Sequence, residues 1–262
     1  MDKLLMIPAM IVGALAGSFL CLALSRFPAR ANSQRWLLHL CRPASRCDHC
    51  RSPIRWRDLV PLLSWLWLRG RCRDCHQFIA LHHPVIEWVS ALLLAILVLV
   101  SPSPALLIWL AVFSGMALLL SEIDRRRLLL PDILTYPLLW FGLTFHIALS
   151  PDRLLSAVAG AILGYLTLRF LAEAYYLLQR RQGLGRGDAK YLAAIGAWTG
   201  VFALPLVTTL AAVFGIGAWL FKCRWREKTS RQPFGPCLSL AGWCVLIAQH
   251  GNTDWLIGWL NK

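Results

Sequence analysis

The chain has 262 residues, of which 58% are hydrophobic and only 15% are charged, a balance too apolar for a soluble domain of this length. A net charge of +14 would suit a nucleic-acid-binding protein, but the basic residues cluster in a few segments between long apolar blocks. The 13 Trp and 5 Tyr are typical of membrane interfaces and packed cores rather than of a base-stacking surface. The composition therefore predicts an all-α polytopic membrane protein, with the lipid bilayer and no nucleic acid among its partners.

The apolar blocks predict about eight transmembrane helices, since a hydrocarbon core of about 30 Å needs roughly 17 to 25 helical residues. The predicted spans are residues 4–24, 84–100, 104–122, 132–149, 153–178, 189–203, 205–221 and 236–250. The first block has no basic segment before it and leads into arginines, so we interpret it as a retained helix and not as a cleaved signal peptide. Its Gly13 and Gly17 favour close packing against another helix.

The placement of charge predicts the orientation. The basic clusters lie at residues 26–83, 125–127, 180–190 and 222–231. With the N-terminus outside the cell, all four clusters fall on the cytosolic side, as the positive-inside rule requires. The expected organisation is a first transmembrane helix, residues 1–25, a cytosolic insert, residues 26–83, and a second transmembrane domain, residues 84–262.

The insert contains two CxxC pairs with 21 residues between them. The four cysteines are Cys47, Cys50, Cys72 and Cys75. Each pair can form a turn that presents two thiolates, and the two turns together predict a tetrahedral Zn²⁺ site that folds an insert too small to be held by burial. The alternatives are two disulfides or four ordinary cysteines, and a basic cytosolic segment argues against stable disulfides. His49 and His76 lie beside the pairs, either as substitute ligands or as polar surface residues.

Two of the few acidic residues come at the edges of predicted spans. Asp124 follows an apolar run, and Asp188 ends the glycine-rich segment 183–188. Under the predicted orientation both carboxylates reach the cytosolic face. Two carboxylates that share one water cannot both ionise easily, so that one keeps a proton while the other acts as a base, as in aspartic proteases. Gly185 and Gly187 would leave room for an extended substrate backbone beside this pair.

Each aspartate also has a structural interpretation. Asp124 would cap a helix end or pair with Arg125, Arg126 or Arg127, and residues 183–188 would form an ordinary turn. The sequence shows no evident Ser-His or Cys-His pair of the kind used in nucleophilic catalysis. The shared location of the two acids favours the functional interpretation.

These residues belong to a longer ordered series of motifs. The series is GSFL at 17–20, RFP at 26–28, PLLSW at 61–65, RGRC at 69–72, PVIE at 84–87, ID at 123–124, LPD at 130–132, GRGDAK at 185–190, GAW at 196–198 and PFGP at 233–236. Together with the two CxxC pairs, it resembles the bacterial type IV prepilin peptidases, the leader peptidases of type IV pili and type II secretion. The resemblance covers nearly the whole chain.

The resemblance implies a GxGD-type aspartyl endopeptidase in which Asp124 and Asp188 are the catalytic pair. Gly185, Gly187 and Lys190 would belong to the supporting loop. Family members cut precursors of pilins and pseudopilins after a Gly that ends a short basic leader. The cut is made on the cytosolic side of the bacterial inner membrane, which would place the N-terminus of this chain in the periplasm.

Many members then methylate the new N-terminus with S-adenosylmethionine. Glu87 matches a position associated with this methyl transfer, although a carboxylate there would also suit a helix N-terminus. The chain departs from the family pattern at three places: Cys21 stands where Asn is common, Arg126 where a second Asp often follows, and Gln182 where Glu often precedes the glycines. The departures leave the catalytic pair unchanged and bear mainly on methylation.

Three further charged residues lie in the predicted spans. Arg169 and Glu173 are four residues apart and are expected to pair and to face the interior of the bundle. Asp132 opens the fourth span and is expected to be a helix N-terminal acid.

Two other function classes are weighed against the peptidase. A non-enzymatic, zinc-dependent assembly factor would explain the cysteines and leave the aspartates without a role. A transporter that uses both acids as a proton relay would favour acids near the middle of the bilayer, whereas these lie at its edge.

Overall fold

The computed structural model describes residues 5–27, 36, 40, 45–47, 49–180, 185–224 and 232–250. These residues form eight long helices and no strand, with two isolated β-bridges, Arg46 to Pro53 and Arg71 to Phe78. The long helices are α1 (Met6–Ser25), α2 (His82–Val100), α3 (Pro104–Arg127), α4 (Asp132–Leu149), α5 (Leu154–Gln179), α6 (Arg186–Thr199), α7 (Leu204–Arg224) and α8 (Gly235–His250). Each lies at the position of one predicted span, so the all-α fold is confirmed.

Within the described residues, six helices are long and apolar enough to cross a membrane, namely α1 to α5 and α7. Helices α6 and α8 are shorter, with 14 and 16 residues. Helix α6 packs against α4, α5 and α8, and its residues 191–199 are all buried. A short helix that is apolar on every side belongs in the core, which explains why α6 does not need the length of a span.

Two helix ends differ from the prediction in a way that matters for the aspartates. Helix α3 continues five residues past its predicted end, because Glu122 accepts hydrogen bonds from Arg125 and Arg126 that support the last turn. Helix α6 begins three residues before its predicted start. As a result, Asp124 lies in the last turn of α3 and Asp188 in the first turn of α6.

The chain divides into two compact units, Met1–Gly115 and Met116–Lys262. In the first unit, α1 packs along α2. A side chain on Gly13 would place its Cβ 2.6 Å from the carbonyl oxygen of Ser90, so only glycine allows the two helices to approach this closely. The predicted close packing of α1 is therefore confirmed.

In the second unit, Trp198 fixes the C-terminal end of α6. Its ring is fully buried, and its Nε1–H donates to the carbonyl oxygen of Leu138 on α4 at 2.8 Å. The carbonyl oxygen of Trp198 lies 3.0 Å from Nε2 of His146, also on α4. These contacts fix the C-terminal end of α6, and Asp188 lies at the opposite end of the same helix.

Arg169 and Glu173 pair on α5 as predicted. Their side chains are 35% and 59% exposed, so the predicted orientation toward the bundle interior is wrong. An i,i+4 pair on the outer face of a helix satisfies both charges locally and needs no partner from the core. Asp132 is the first residue of α4, which confirms its predicted place in the helix.

Candidate functional site

Asp124 is a buried acid, 5% exposed, held by the start of another helix. The backbone N–H of Gly235, the first residue of α8, donates to Oδ2 of Asp124 at 2.8 Å. A Cβ on Gly235 would lie 2.8 Å from the same oxygen and 3.1 Å from Cγ of Asp124. The absence of a side chain at position 235 is therefore a condition for this contact.

The basic neighbours of Asp124 have another partner. Arg125 and Arg126 form their ion pairs with Glu122, at 2.5 and 2.7 Å. The Asp124 side chain instead accepts a hydrogen bond from the backbone of α8. The structural interpretation, in which Asp124 pairs with Arg125 or Arg126, is therefore not what the structure shows.

Asp188 folds back over the beginning of its own helix. Its Oδ2 accepts the backbone N–H of Gly185 at 3.1 Å, and a Cβ on Gly185 would lie 2.9 Å from that oxygen. A Cβ on Gly187 would lie 3.0 Å from Cβ of Leu130. The two glycines thus leave room for the carboxylate and for the chain that follows α3. Gly183 lies outside the described residues.

The environment of Asp188 disfavours its charged form. Burial, and then the negative charge of Asp124, raise the pKa of Asp188 to about 6, against the smaller opposing effect of the Gly185 N–H. Asp188 lies outside every helix that is long enough to cross a membrane. The second unit thus places the two acids predicted from sequence close enough for the charge of one to act on the other.

Lys190 connects the start of α6 with the start of α4. Its Nζ lies 2.7 Å from each carboxylate oxygen of Asp132 and 5.3 Å from the ring centre of Tyr136. Asp132 is therefore an interhelical ion-pair partner as well as a helix N-terminal acid. Because Lys190 is two residues from Asp188, this pair helps to set where the first turn of α6 begins.

A hydrogen-bonded cluster of three hydroxyl groups joins α3, α6 and α8 close to the two acids. The Ser239 oxygen on α8 accepts from Ser121 on α3 at 2.7 Å and lies 2.6 Å from the Tyr191 hydroxyl on α6. Each of these residues is about one helical turn from a site residue, namely Asp124, Asp188 or Gly235. The cluster therefore fixes the three helix ends that form the site.

Gly235 and the hydroxyl cluster were not among the site residues predicted from the sequence. The signals were present, since Gly235 belongs to the PFGP motif and the three hydroxyls interrupt apolar helices. What was absent was any indication that the helices bearing these residues meet at one place.

In the first unit, the four CxxC cysteines come together. Their sulfur atoms all lie within 4.8 Å of one another, and Sγ of Cys47 is 3.8 Å from Sγ of Cys75. A tetrahedral site with Zn–S bonds of about 2.3 Å places its sulfurs roughly 3.8 Å apart. The donor set, named here the thiol cluster, therefore fits a metal ion.

The two CxxC turns have the same backbone geometry. In each, the N–H four residues after the first cysteine donates to the carbonyl oxygen of that cysteine at 3.0 Å. The donors are Arg51 and His76, with φ of 57° and 55°. His76 is thus a turn residue, and neither it nor His49 belongs to the thiol cluster.

A cavity of about 500 Å³ lies beside the thiol cluster, within the first unit. Charged residues of both signs line it, among them Arg26, Arg55, Asp58, Asp74 and Glu87. Residues 45–80 of the insert form most of its wall, and α1 and the start of α2 complete it. Such a cavity suits a ligand that carries both charges and an apolar portion.

Glu87 connects α2 with the insert. It is 8% exposed, and its Oε2 accepts the backbone N–H of Leu62 at 2.9 Å. Leu62 has φ of 60° in a tight turn closed by a hydrogen bond from the N–H of Leu63 to the carbonyl oxygen of Pro61. Glu87 is the sixth residue of α2, so it does not cap the N-terminus of that helix.

The three departures from the family pattern lie in different surroundings. Cys21 is buried and lines the cavity of the first unit. Arg126 pairs with Glu122 on α3. Gln182 lies outside the described residues.

Comparison with known proteins connects both units to one family. The model of the bacterial peptidase A24 N-terminal domain matches residues 11–101, and that of the type IV leader peptidase family matches residues 111–220. No solved structure matches the chain.

Several relatives are similar over most of their length. The prepilin leader peptidase/N-methyltransferase of Aeromonas hydrophila is 42% identical over 82% of this chain and 75% of the relative. The protein of the same name from Dickeya chrysanthemi is 41% identical over 91% of this chain and 90% of the relative. The type 4 prepilin-like proteins leader peptide-processing enzyme of Escherichia coli O78:H11 is 35% identical over 92% and 93%. The chain therefore belongs to the type IV leader peptidase family.

Proposed function

We propose that this protein removes the basic leader from type IV prepilins or type II secretion pseudopilins, cutting after a Gly, with Asp124 and Asp188 as the catalytic pair. The observation that carries the proposal is the electrostatic coupling of the two acids, through which Asp124 contributes to the raised pKa of Asp188. The relatives are named as enzymes that process prepilins or prepilin-like proteins, which supports this substrate class.

The chemistry needs one protonated and one ionised carboxylate. The ionised partner accepts a proton from water as the water attacks the scissile carbonyl carbon, and the protonated partner donates to the leaving amine. Because the pKa of Asp188 is raised, a larger fraction of the molecules has one proton on the aspartate pair near neutral pH. The two carboxylates titrate together, so this proton is shared by the pair and is not assigned to one residue. The N–H of Gly235 orients Asp124 before substrate binds.

The supporting loop positions Asp188. Gly185 donates to its carboxylate, Gly187 packs against Leu130, and Lys190 ties the same turn to Asp132. We propose that these residues act on cleavage through Asp188 and do not contact the reacting atoms.

We also propose that the cavity of the first unit is where the new N-terminus is methylated. When bound there, S-adenosylmethionine would supply an electrophilic methyl group. Its amino-acid portion carries both charges, and charged residues of both signs line the cavity. Glu87 would accept a proton from the α-ammonium of the processed substrate and so leave a neutral, nucleophilic amine.

The proposed metal of the thiol cluster is a structural Zn²⁺. Four cysteine sulfurs form a closed set typical of structural zinc, whereas catalytic zinc keeps one position open. Binding there would hold the two CxxC turns together beside the cavity.

The proposed location is the bacterial inner membrane, with the N-terminus in the periplasm and both sites at the cytosolic face. This follows from the positive-inside rule applied to the basic clusters. The six apolar helices of the described residues agree with a membrane protein.

The peptidase proposal is tested with purified full-length protein and a prepilin substrate, with mass spectrometry of the product. Asp124→Asn and Asp188→Asn are each expected to reduce cleavage by at least about 100-fold, because each removes a proton-transfer group. The helical circular dichroism signal is expected to stay unchanged. Near-normal cleavage by either variant contradicts the pair, and an uncut precursor with the natural chain would favour a non-enzymatic assembly factor.

The methylation proposal uses a substrate peptide that already lacks its leader. Glu87→Gln keeps an oxygen that accepts the Leu62 N–H and removes the base, so methylation is expected to fall while cleavage of a full precursor persists. Glu87→Leu removes both. If the Glu87→Gln variant has normal methylation activity and only the Glu87→Leu variant loses it, then Glu87 stabilises the turn at Leu62 and does not transfer a proton.

A further inference from the structure

The short helix Leu63–Trp67 of the insert has one apolar face that is mostly exposed within the described part of the chain. Leu63, Leu66 and Trp67 are 66%, 62% and 82% exposed. They are spaced as i, i+3 and i+4, so they share one face of the helix, named here the interfacial face. The opposite face points to the cavity, which Trp65 and Ser64 line. An exposed face made only of large apolar side chains indicates an interaction surface.

This face continues onto the outer surface of α2. A groove of about 360 Å³ runs between the short helix and α2, and only apolar and aromatic residues line it. On the α2 side, Val85 and Trp88 are 55% and 49% exposed. Because α2 is long and apolar enough to cross a membrane, its exposed apolar residues face lipid. The interfacial face is thus an extension of a lipid-contacting surface.

The attachment of the short helix sets its depth. The N–H of Leu62 is bound to Glu87, which lies five residues after the start of α2 at His82. Five residues correspond to about 8 Å along a helix axis. The headgroup region on each side of a bilayer is roughly 5–8 Å thick. A span that begins with His82 at the outer edge of the headgroups would therefore have the short helix at the boundary between headgroups and hydrocarbon.

The surrounding charge suits anionic lipid. Between residues 55 and 73 the chain has five arginines and one aspartate. Arg57, Arg69 and Arg71 are exposed. Basic side chains that flank an aromatic and apolar face are typical of segments that bind the surface of anionic membranes.

We propose that the interfacial face is a membrane-anchoring surface: Leu63, Leu66 and Trp67 insert among the lipids at the side where α2 begins, and the neighbouring arginines bind anionic headgroups. The anchor keeps the cavity of the first unit at the membrane surface. The anchor itself does not depend on either proposed activity.

The test is photocrosslinking of the full chain in phospholipid nanodiscs. Trp67→p-benzoylphenylalanine places the probe on the interfacial face, and Gln77→p-benzoylphenylalanine is the matched control, because Gln77 is an exposed residue of a CxxC turn. We expect at least about ten-fold more lipid adducts from position 67 than from position 77, since apolar and aromatic residues at the interface contact lipid. Equal yields, or adducts only with protein at position 67, overturn the proposal.

A second arm tests the headgroup contact. In the Trp67 probe variant, Arg57→Gln, Arg69→Gln and Arg71→Gln are combined, and nanodiscs with and without phosphatidylglycerol are compared. The adduct yield is expected to rise with phosphatidylglycerol for the natural arginines and to lose that dependence in the triple variant. If the adduct yield depends neither on phosphatidylglycerol nor on the three arginines, the proposed role of the arginines is overturned.

Discussion

The thiol cluster of the first unit and the aspartate pair of the second unit are both sets of groups that repel one another when charged, yet they are assembled differently. Each half of the thiol cluster is made by one CxxC turn, and the hydrogen bonds of that turn lie within a few residues. The aspartates lie on different helices, and the N–H that holds Asp124 is 111 residues away, at Gly235. The thiol cluster is therefore local in its geometry, while the aspartate site depends on helix packing.

The two regions also limit their repulsion by different means. In the thiol cluster, a cation would neutralise the thiolates, so the stability of the insert should follow the metal. In the aspartate pair, a shared proton has that role, so the site should follow pH. A change at one region should therefore leave the activity of the other region largely intact.

The largest expected effect is at the thiol cluster. Cys72→Ser with Cys75→Ser removes half of the donor set, so bound metal is expected to be lost and methylation of a leader-free peptide to fall by about 100-fold or more. Cleavage should fall much less, because the aspartates belong to the other unit. Metal analysis and the two activity assays measure this. Cys223→Ser changes an exposed cysteine outside the cluster and is the control; equal losses of both activities would contradict the separation.

The next effect is at the contact between helices. Gly235→Ala would place a Cβ 2.8 Å from Oδ2 of Asp124 and should displace the carboxylate. A displacement of this kind is expected to lower kcat for cleavage by about 10- to 100-fold, with methylation unchanged. Gly217→Ala is the matched control, since its Cβ would meet nothing within 4 Å. Equal kcat values for the two variants would show that Gly235 does not position Asp124.

A smaller effect concerns stability and pH. The pKa of Asp188 is raised to about 6 in the folded protein, above the ordinary value of about 3.9, so folding takes up a proton between these values and wild-type stability falls as pH rises from about 4 to about 6. Asp188→Asn has no such charge. It is expected to be more stable than wild type by about 1–3 kcal/mol above pH 6, with the difference vanishing near pH 4.

Thermal unfolding in detergent at the two pH values measures this difference. Asp152→Asn, at an exposed position, is the control. A stability difference for Asp188→Asn that does not change with pH would mean that the side chain is not held in an environment that disfavours its charge.

The smallest expected effect is at the ion pair between α4 and α6. Lys190→Gln should cost less than about 1 kcal/mol of stability, because the pair is partly exposed. We expect a few-fold loss in kcat for cleavage with little change in KM, and partial recovery when Lys190→Asp is combined with Asp132→Lys. Arg169→Gln breaks the exposed pair on α5 and should leave cleavage unchanged. The same loss from both substitutions would assign Lys190 a general structural role.

Hydropathy and charge placement alone located the eight long helices of the described residues and the two acids at helix ends. They succeed because a long apolar segment in a membrane has few ways to satisfy its backbone hydrogen bonds other than by forming a helix. The CxxC spacing likewise predicted the thiol cluster, since each turn needs only neighbouring residues. The extent of the last turn of α3 was not predicted, although its cause, the pairing of Glu122 with Arg125 and Arg126, lies within five neighbouring residues.

Only the tertiary structure decided which helix ends meet. The contact of Gly235 with Asp124, the cluster of Ser121, Tyr191 and Ser239, and the bond from Leu62 to Glu87 each join segments far apart in the chain. Periodicity states which residues lie on one face of a helix, but not which helix covers that face. The sequence by itself therefore determined the elements and the chemical groups, and packing determined that two distant acids act on each other's charge.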